Sequence, residues 1–197
     1  MVAVSFAAGL NLYATVATLG LLARTNLLSL PPSLALLSND WVIGACLLLF
    51  VIEFFADKIP VVDLVWNVLH TFVRVPAAAL LAWSTTSSLS PGGQVMAAVA
   101  GGAIAFVAHG GKLALRGAAT TSPEPFSNLV LSVGEDAVAI GLTWFAAEYP
   151  YLAAAIVAVL LVATIFLIRW TWRLMRIGGR RLRDWLTPPP TAGRLSN

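Results

Sequence analysis

Two pairs of acidic residues interrupt apolar stretches of the sequence. Glu53 and Asp57 are four residues apart, which places both carboxylates on one face of a helix. Glu135 and Asp136 are adjacent, so their side chains point about a third of a turn apart. Charged groups at membrane depth are costly and usually pair or line a wet cavity. These acids are therefore candidate groups for binding a cation or relaying protons.

Basic residues at helical spacing provide candidate counter-charges. His109, Lys112 and Arg116 share one helix face. His109 and Lys112 lie deeper in their apolar stretch, whereas we interpret Arg116 as a positively charged helix end. We expect Glu53 and Asp57 to lie within about one helix diameter of Lys112, roughly 10 Å.

Three further residues join the candidate binding set. Asn11 and Asn128 are neutral ligands in apolar segments, and Lys58 directly follows Asp57. For Asp57 and Lys58 two interpretations remain open. They either take part in binding or mark the headgroup boundary where a span ends before Pro60.

A polar stripe follows at spacings of four, three and four residues. Its members share one helix face: Asp63, Asn67, His70 and Arg74. The stripe faces protein, a cavity or lipid headgroups. We include Asp63 among the candidate binding residues.

The sequence lacks the motifs of common enzymes and nucleic-acid-binding proteins. It contains no H-E-x-x-H zinc motif, phosphate loop or nucleophile elbow. Its one cysteine, Cys46, excludes a disulfide within the chain. We predict no enzymatic activity, no cofactor, no metal site and no nucleic-acid partner. The arginines near the C-terminus instead have the pattern of a cytoplasmic membrane flank.

The composition is that of a membrane protein. The 197 residues are 59% hydrophobic and only 11% charged, with a mean hydropathy of +0.86. Soluble domains carry about 25% charged residues. So few charges cannot cover a surface that faces water, but lipid can cover an apolar one. We predict one integral membrane domain over residues 1–186, and a disordered Pro-rich tail over residues 187–197.

The predicted fold is all-α, a polytopic bundle of about six transmembrane helices. A spanning helix needs about 20 apolar residues. The predicted helices are Val2–Ala23, Trp41–Asp57, Val61–Ser84, Gly93–Leu115, Asn128–Ala147 and Tyr151–Met175, the last with a basic helical extension.

Lysine and arginine placement predicts the orientation. An even number of spans and a basic cytoplasmic C-terminus place both termini in the cytoplasm. Loops near Lys58 and Arg116 then fall inside, and only Arg24 falls outside against the rule. We expect a multi-pass protein of the cell membrane, the inner membrane in a bacterium.

Weak internal similarity suggests two inverted three-helix repeats, residues 1–89 and 92–178. The segment 8–12 (AGLNL) resembles the segment 109–113 (HGGKL), and each precedes a Pro-containing loop and a helix with two acids. Inverted repeats are a known transporter design, with the binding site at the repeat interface.

The segments 8–13 (AGLNLY) and 53–63 (EFFADKIPVVD) resemble a bacterial membrane family defined by a domain of unknown function, number 4126. Segments 109–112 (HGGK), 125–128 (PFSN) and 132–136 agree with the same family. The resemblance extends over about Ser5 to Met175, and Asp57-Lys58-Ile59-Pro60 is its most specific part. It implies no activity or substrate.

The leading functional hypothesis is a small transporter or channel for an ion or small polar solute. The first alternative is a membrane scaffold or assembly factor whose charges are structural. The second is a lipid-phosphate flippase in which Lys112 and Arg116 meet the head group. Expected partners are the lipid bilayer, the transported ion or solute, and a second copy of the chain in a homo-oligomer.

Overall fold

A computed structural model describes residues 1–119 and 125–186, apart from the side chains at positions 60, 61, 64, 118, 119, 125–128, 181, 182 and 184–186. The predicted disordered tail, residues 187–197, lies outside the described residues. The described chain is all-helical, with seven α-helices and one 3₁₀ helix. The α-helices are α1 (Val2–Leu10), α2 (Leu12–Arg24), α3 (Asp40–Ala56), α4 (Pro60–Thr85), α5 (Pro91–Ala119), α6 (Pro125–Glu148) and α7 (Pro150–Leu186), and the 3₁₀ helix is Pro32–Ser38.

Proline begins each of the last four helices, at positions 60, 91, 125 and 150. Proline suits the first helical position because its φ angle is already helical and its missing N–H would have no partner there. The predicted helices two to six therefore occur within a few residues of their expected bounds. The basic extension of the last helix is also present, since α7 continues to Leu186.

The first predicted helix, Val2–Ala23, is wrong as a single element, because the chain breaks at Asn11. This residue has an extended backbone, with φ −146° and ψ 105°. Its N–H donates to Ala7 O, and its side-chain oxygen accepts from the Ala14 N–H at 2.9 Å. Asn11 thus ends α1 and caps α2, and its side chain replaces one of the backbone hydrogen bonds that a continuous helix would have made.

Four described helices are long and apolar enough to cross a membrane: Val65–Thr85, Pro91–Gly117, Leu129–Glu148 and Pro150–Arg180. The 3₁₀ helix and α3 meet at 64° and would form a fifth crossing if they act as one broken span. This is compatible with a multi-pass membrane protein. Six spans stay a prediction, because α1 and α2 are each too short to cross alone.

The inverted repeat also stays a prediction. Asn11 breaks the first half between α1 and α2, whereas α5 passes through the corresponding Lys112 as one continuous helix of 29 residues. The two halves therefore differ at the position where their sequences are most alike.

Helix α1 lies at the centre of the bundle and packs against α4, α5, α6 and α7. All its residues from Ala3 to Leu10 are buried. Gly9 permits a close approach to α5, since a Cβ there would lie 2.5 Å from Ala105 O. This central position brings the break at Asn11 into the interior of the protein.

The bundle has an apolar surface and a charged interior. Large apolar side chains on the outside include Phe72 (77% exposed) and Phe166 (72%), whereas Glu53, Arg74 and Lys112 are at most 1% exposed. Water-soluble proteins almost never bury lysine, arginine or glutamate completely unless they are paired. The outer surface suits lipid, and the interior must satisfy its own charges.

Candidate functional site

Lys112 of α5 joins acids from two other helices. Its Nζ lies 3.3 Å from Glu53 Oε1, 3.1 Å from Asp57 Oδ2 and 3.4 Å from Glu135 Oε2. Glu53 and Asp57 come from the end of α3, and Glu135 comes from α6. The expected proximity of Lys112 to Glu53 and Asp57 is confirmed.

Arg116, one turn after Lys112, contacts three acids. Its Nη2 lies 2.6 Å from Asp57 Oδ2 and 3.0 Å from Glu135 Oε2, and its Nη1 pairs with Asp63 Oδ1. The side chain is 5% exposed. Arg116 does lie in the last turn of α5, as its interpretation as a positively charged helix end predicts. Acids from three other segments also enclose its side chain, so it belongs to the charge cluster as well.

Arg74 is the functional candidate that the predicted site omitted. Its Nη2 pairs with Glu53 Oε1, and both side chains are fully buried. Its Nη1 donates to Leu10 O at 2.9 Å and contacts His109 Nδ1 at 3.2 Å. Arg74 was recognised only as a member of the polar stripe. The available signal was a lone arginine amid apolar residues, with no acid one helical turn away on either side.

His109 is held in one tautomer by its neighbours. Its Nε2 lies 3.1 Å from Asn67 O, which can only accept, and 2.8 Å from Thr71 Oγ1. Nε2 is therefore the protonated nitrogen, and Nδ1 accepts from Arg74. His109 therefore accepts a hydrogen bond from Arg74 and, as a neutral ring, adds no charge to the cluster.

Asp136 and Asn11 form a separate contact at the edge of the cluster. Asn11 Nδ2 donates to Asp136 Oδ1 at 2.9 Å, and both side chains are buried. The helix break thereby presents a neutral donor to an acid of α6. The side chain of Asn128, the other predicted neutral ligand, lies outside the described residues.

Lys58 makes no ion pair with the cluster among the described residues, although Asp57 and Asp136 act on it electrostatically. Its Nζ donates to Phe54 O at 2.8 Å and sits 3.0 Å above the Phe54 ring. Partial burial lowers the pKa of Lys58 below its ordinary value. The two interpretations left open by the sequence therefore apply to different residues. Asp57 belongs to the charge network, and Lys58 lies at the end of α3.

Asp63 precedes the candidate span that begins at Val65, and it is the most accessible acid of the cluster, at 17% exposed. Burial raises its pKa to about 6, and nearby Asp57 adds to the rise against the opposing effect of Arg116. Asp63 Oδ1 also accepts from Asn67 Nδ2 at 2.6 Å. Asp63 can therefore exchange a proton near neutral pH at the edge of the network.

Acids outnumber bases in this network, which from here on means Glu53, Asp57, Asp63, Arg74, Lys112, Arg116, Glu135 and Asp136. If every member is ionised, two negative charges are unbalanced. Four carboxylate oxygens are also buried without a hydrogen-bond partner among the described residues: Glu53 Oε2, Asp57 Oδ1, Glu135 Oε1 and Asp136 Oδ2. Unpaired buried acceptors are costly and call for protons, cations or donors.

The described residues do not arrange three or more His, Cys, Asp or Glu side chains in a way that could hold a metal ion. The network acids instead contact bases, and several acids share the same base: Lys112 and Arg116 each contact three carboxylates.

A cavity of about 310 Å³ adjoins the network between α1, α5, α6 and α7. Most of its lining is apolar, and Lys112 and Glu135 contribute its charged groups. It lies on the side of α6 that carries the exposed Val130 and Val138. The charged interior therefore communicates with an apolar lateral cavity.

Residues 1–170 match a family model described as a domain of unknown function (DUF4126). The match includes every member of the charge network. No curated protein and no solved structure matches the chain.

Proposed function

We propose that this chain, which belongs to the DUF4126 family, is a small membrane transporter or channel for an ion or small polar solute. In this proposal the network acids bind or relay the transported charge. Lys112, Arg116 and Arg74 balance part of the negative charge of those acids inside the apolar bundle. No covalent chemistry is required of any residue.

The excess of acids over bases is the observation that supports this proposal. A purely structural network minimises its cost when charges balance and every oxygen has a partner. Here Asp136 makes no direct ion pair among the described residues, although Lys112 and Lys58 act on it electrostatically at longer range, and its Oδ2 accepts no hydrogen bond from the described residues. An acid without a direct ion pair in the interior of an apolar bundle is typical of ion and proton pathways.

The scaffold hypothesis has one observation in its favour. Each of the three network bases contacts at least one carboxylate, so the bases are completely compensated. In that case the network holds α3, α4, α5 and α6 together, and the charges do not take part in transport. The transporter and scaffold hypotheses make different predictions for the substitution of Asp136, which forms no direct ion pair with a base among the described residues.

Asp136→Asn provides the decisive variant. Asparagine keeps the oxygen that accepts from Asn11 but removes the charge, and it leaves no base without an acid. If the acids carry transport, the variant should be normally abundant and inactive. If the network is only structural, both abundance and activity should match the wild type.

The assay uses purified protein in liposomes loaded with a pH-sensitive dye, together with sodium, rubidium and chloride tracers. Glu148→Gln is the matched control, because Glu148 is an exposed acid at the end of the same helix. Flux of protons or a tracer that Asp136→Asn abolishes and Glu148→Gln preserves supports the proposal. Equal flux in all three proteins contradicts it.

We also propose a cell-membrane location with both termini in the cytoplasm. If the α1–α2 pair and the 3₁₀–α3 pair each cross once, six crossings return the chain to its starting side. The arginines of the α7 extension then lie in the cytoplasm, as the positive-inside rule requires. A reporter fused after Asn197 that reads as extracytoplasmic would contradict this orientation.

A further inference from the structure

The lateral cavity has the shape and lining of a binding site. Its volume of about 310 Å³ lies at the lower end of the usual range for small-molecule pockets, roughly 300–1,000 Å³. Phe6 of α1, Leu160 of α7 and Val138 of α6 form much of its wall. Val138 is partly exposed on the apolar outer surface. A ligand can therefore enter from the lipid side and bury an apolar body here.

Glu135 lies at the charged end of the cavity lining, and one of its carboxylate oxygens lacks a donor. Glu135 lines the cavity and is 7% exposed. Its Oε2 contacts Lys112 at 3.4 Å and Arg116 at 3.0 Å. Its Oε1 is buried and has no hydrogen-bond partner among the described residues. Lys112 is already shared among three acids, so Glu135 is the charged group of the lining with unused bonding capacity.

We propose that this cavity binds an amphiphilic ammonium compound, with its alkyl body against the apolar wall and its N–H donated to Glu135. This inference rests on the proposed transport function and names its substrate class. An ammonium group supplies both the missing donor and part of the positive charge that the network lacks. A carboxylate or phosphate head group would add to an existing negative excess.

The first test compares head groups on one short chain. Full-length protein in nanodiscs of zwitterionic lipid is titrated at pH 7 with hexylammonium, hexanol and hexanoate, and binding is measured by calorimetry. We expect saturable binding of hexylammonium, and affinities at least about tenfold lower for the other two. Tighter or equal binding of hexanoate would overturn the proposal, because it would assign the head-group contact to Lys112. Absence of saturable hexylammonium binding would overturn it as well.

The second test fills the cavity without changing a charge. Gly134 lines the cavity, and a Cβ at this position would meet nothing within 4 Å. Gly134→Leu should therefore fold and should reduce hexylammonium affinity by about tenfold or more. Gly44→Leu is the matched control, since Gly44 of α3 is equally open and does not line the cavity. Equal affinity in the two variants would contradict the proposed location.

The third test removes the acceptor. Glu135→Gln should weaken hexylammonium binding by about tenfold while leaving hexanol binding unchanged. Since this change also affects Lys112 and Arg116, Gly134→Leu keeps the proposal testable if Glu135→Gln does not fold. Ammonium binding without any flux would contradict the transport function alone. Tracer flux without ammonium binding would contradict the substrate class alone.

Discussion

Two sets of basic side chains in this protein have the same helical spacing and opposite surroundings. Lys112 and Arg116 of α5 are four residues apart and at most 5% exposed. Arg169 and Arg173 of α7 are also four residues apart, yet both are exposed. The first pair is enclosed by acids of α3, α4 and α6, whereas the second lies in the uncovered stretch toward the basic end of α7. Spacing alone therefore does not distinguish a buried network from a solvated helix face.

The difference sets the expected cost of removing a charge. A buried cation balances acids that cannot reach water, so its loss leaves them uncompensated. An exposed cation is replaced by solvent and counterions, so its loss changes little. Substitutions in both regions can test this contrast.

Arg74→Met should have the largest effect. It removes one of the two bases that pair with Glu53, together with the donor to Leu10 O, and breaking such a buried pair costs about 3–5 kcal/mol of unfolding free energy. We expect severe loss of folded protein in the membrane, measured by size-exclusion chromatography of a fluorescent fusion. Adding Glu53→Gln should restore part of the abundance. Wild-type abundance of Arg74→Met alone would contradict a structural role for this pair.

Arg116→Met should be the next most damaging. Its loss affects Asp57, Asp63 and Glu135, but Lys112 still contacts two of these acids. We therefore expect a loss of about 3 kcal/mol, at the low end for a broken buried pair. Unfolding in increasing concentrations of sodium dodecyl sulfate measures it. A wild-type unfolding curve would show that Arg116 is a helix-end charge whose contacts with the acids do not stabilise the fold.

Asn11→Ala should have an intermediate effect of about 2 kcal/mol, since it removes a helix cap and the donor to Asp136. The matched control is Asn39→Ala, because Asn39 caps α3 through the Trp41 N–H in an exposed position. That change should cost about 1 kcal/mol. Equal losses in the same unfolding assay would show that the Asn11 contact with Asp136 adds no stability.

Arg176→Met should have the smallest effect, within about 0.5 kcal/mol of the wild type. Arg176 is exposed on the α7 extension and lies 5.3 Å from the Trp172 ring centroid. The same unfolding assay gives the comparison. A loss as large as that of Arg116→Met would remove the contrast between the two regions.

Much of the fold could be predicted from the sequence because its signals are local. Prolines at positions 60, 91, 125 and 150 and the long apolar runs between them determine where α4, α5, α6 and α7 begin. The break at Asn11 has no such local signal. Its apolar flanks suit one helix, and the partner that Asn11 meets, Asp136, is 125 residues away.

The candidate site was predictable in part for the same reason. The acids were identifiable because each pair interrupts an apolar stretch, and Lys112 was identifiable as a base at similar depth. Arg116 was correctly interpreted as a helix-end base, but its burial among acids was not predicted, because a basic residue near a helix end usually faces water or headgroups. Its partners come from separate segments, and only packing reveals that they converge. Arg74 was similarly hidden, since Glu53 lies on another helix.

The central position of α1 has a consequence for how the protein is made. This helix is synthesised before α5, α6 and α7, yet it packs against all three. Asn11 lacks its contact with Asp136 until α6 has been synthesised, and Leu10 O lacks its donor Arg74 until α4 has been synthesised. The native environment of α1 is therefore complete only after α7 has been inserted. A chain truncated before α7 would leave α1 without one of the helices that cover it, and we expect such a chain to be less stable in the membrane than the full one.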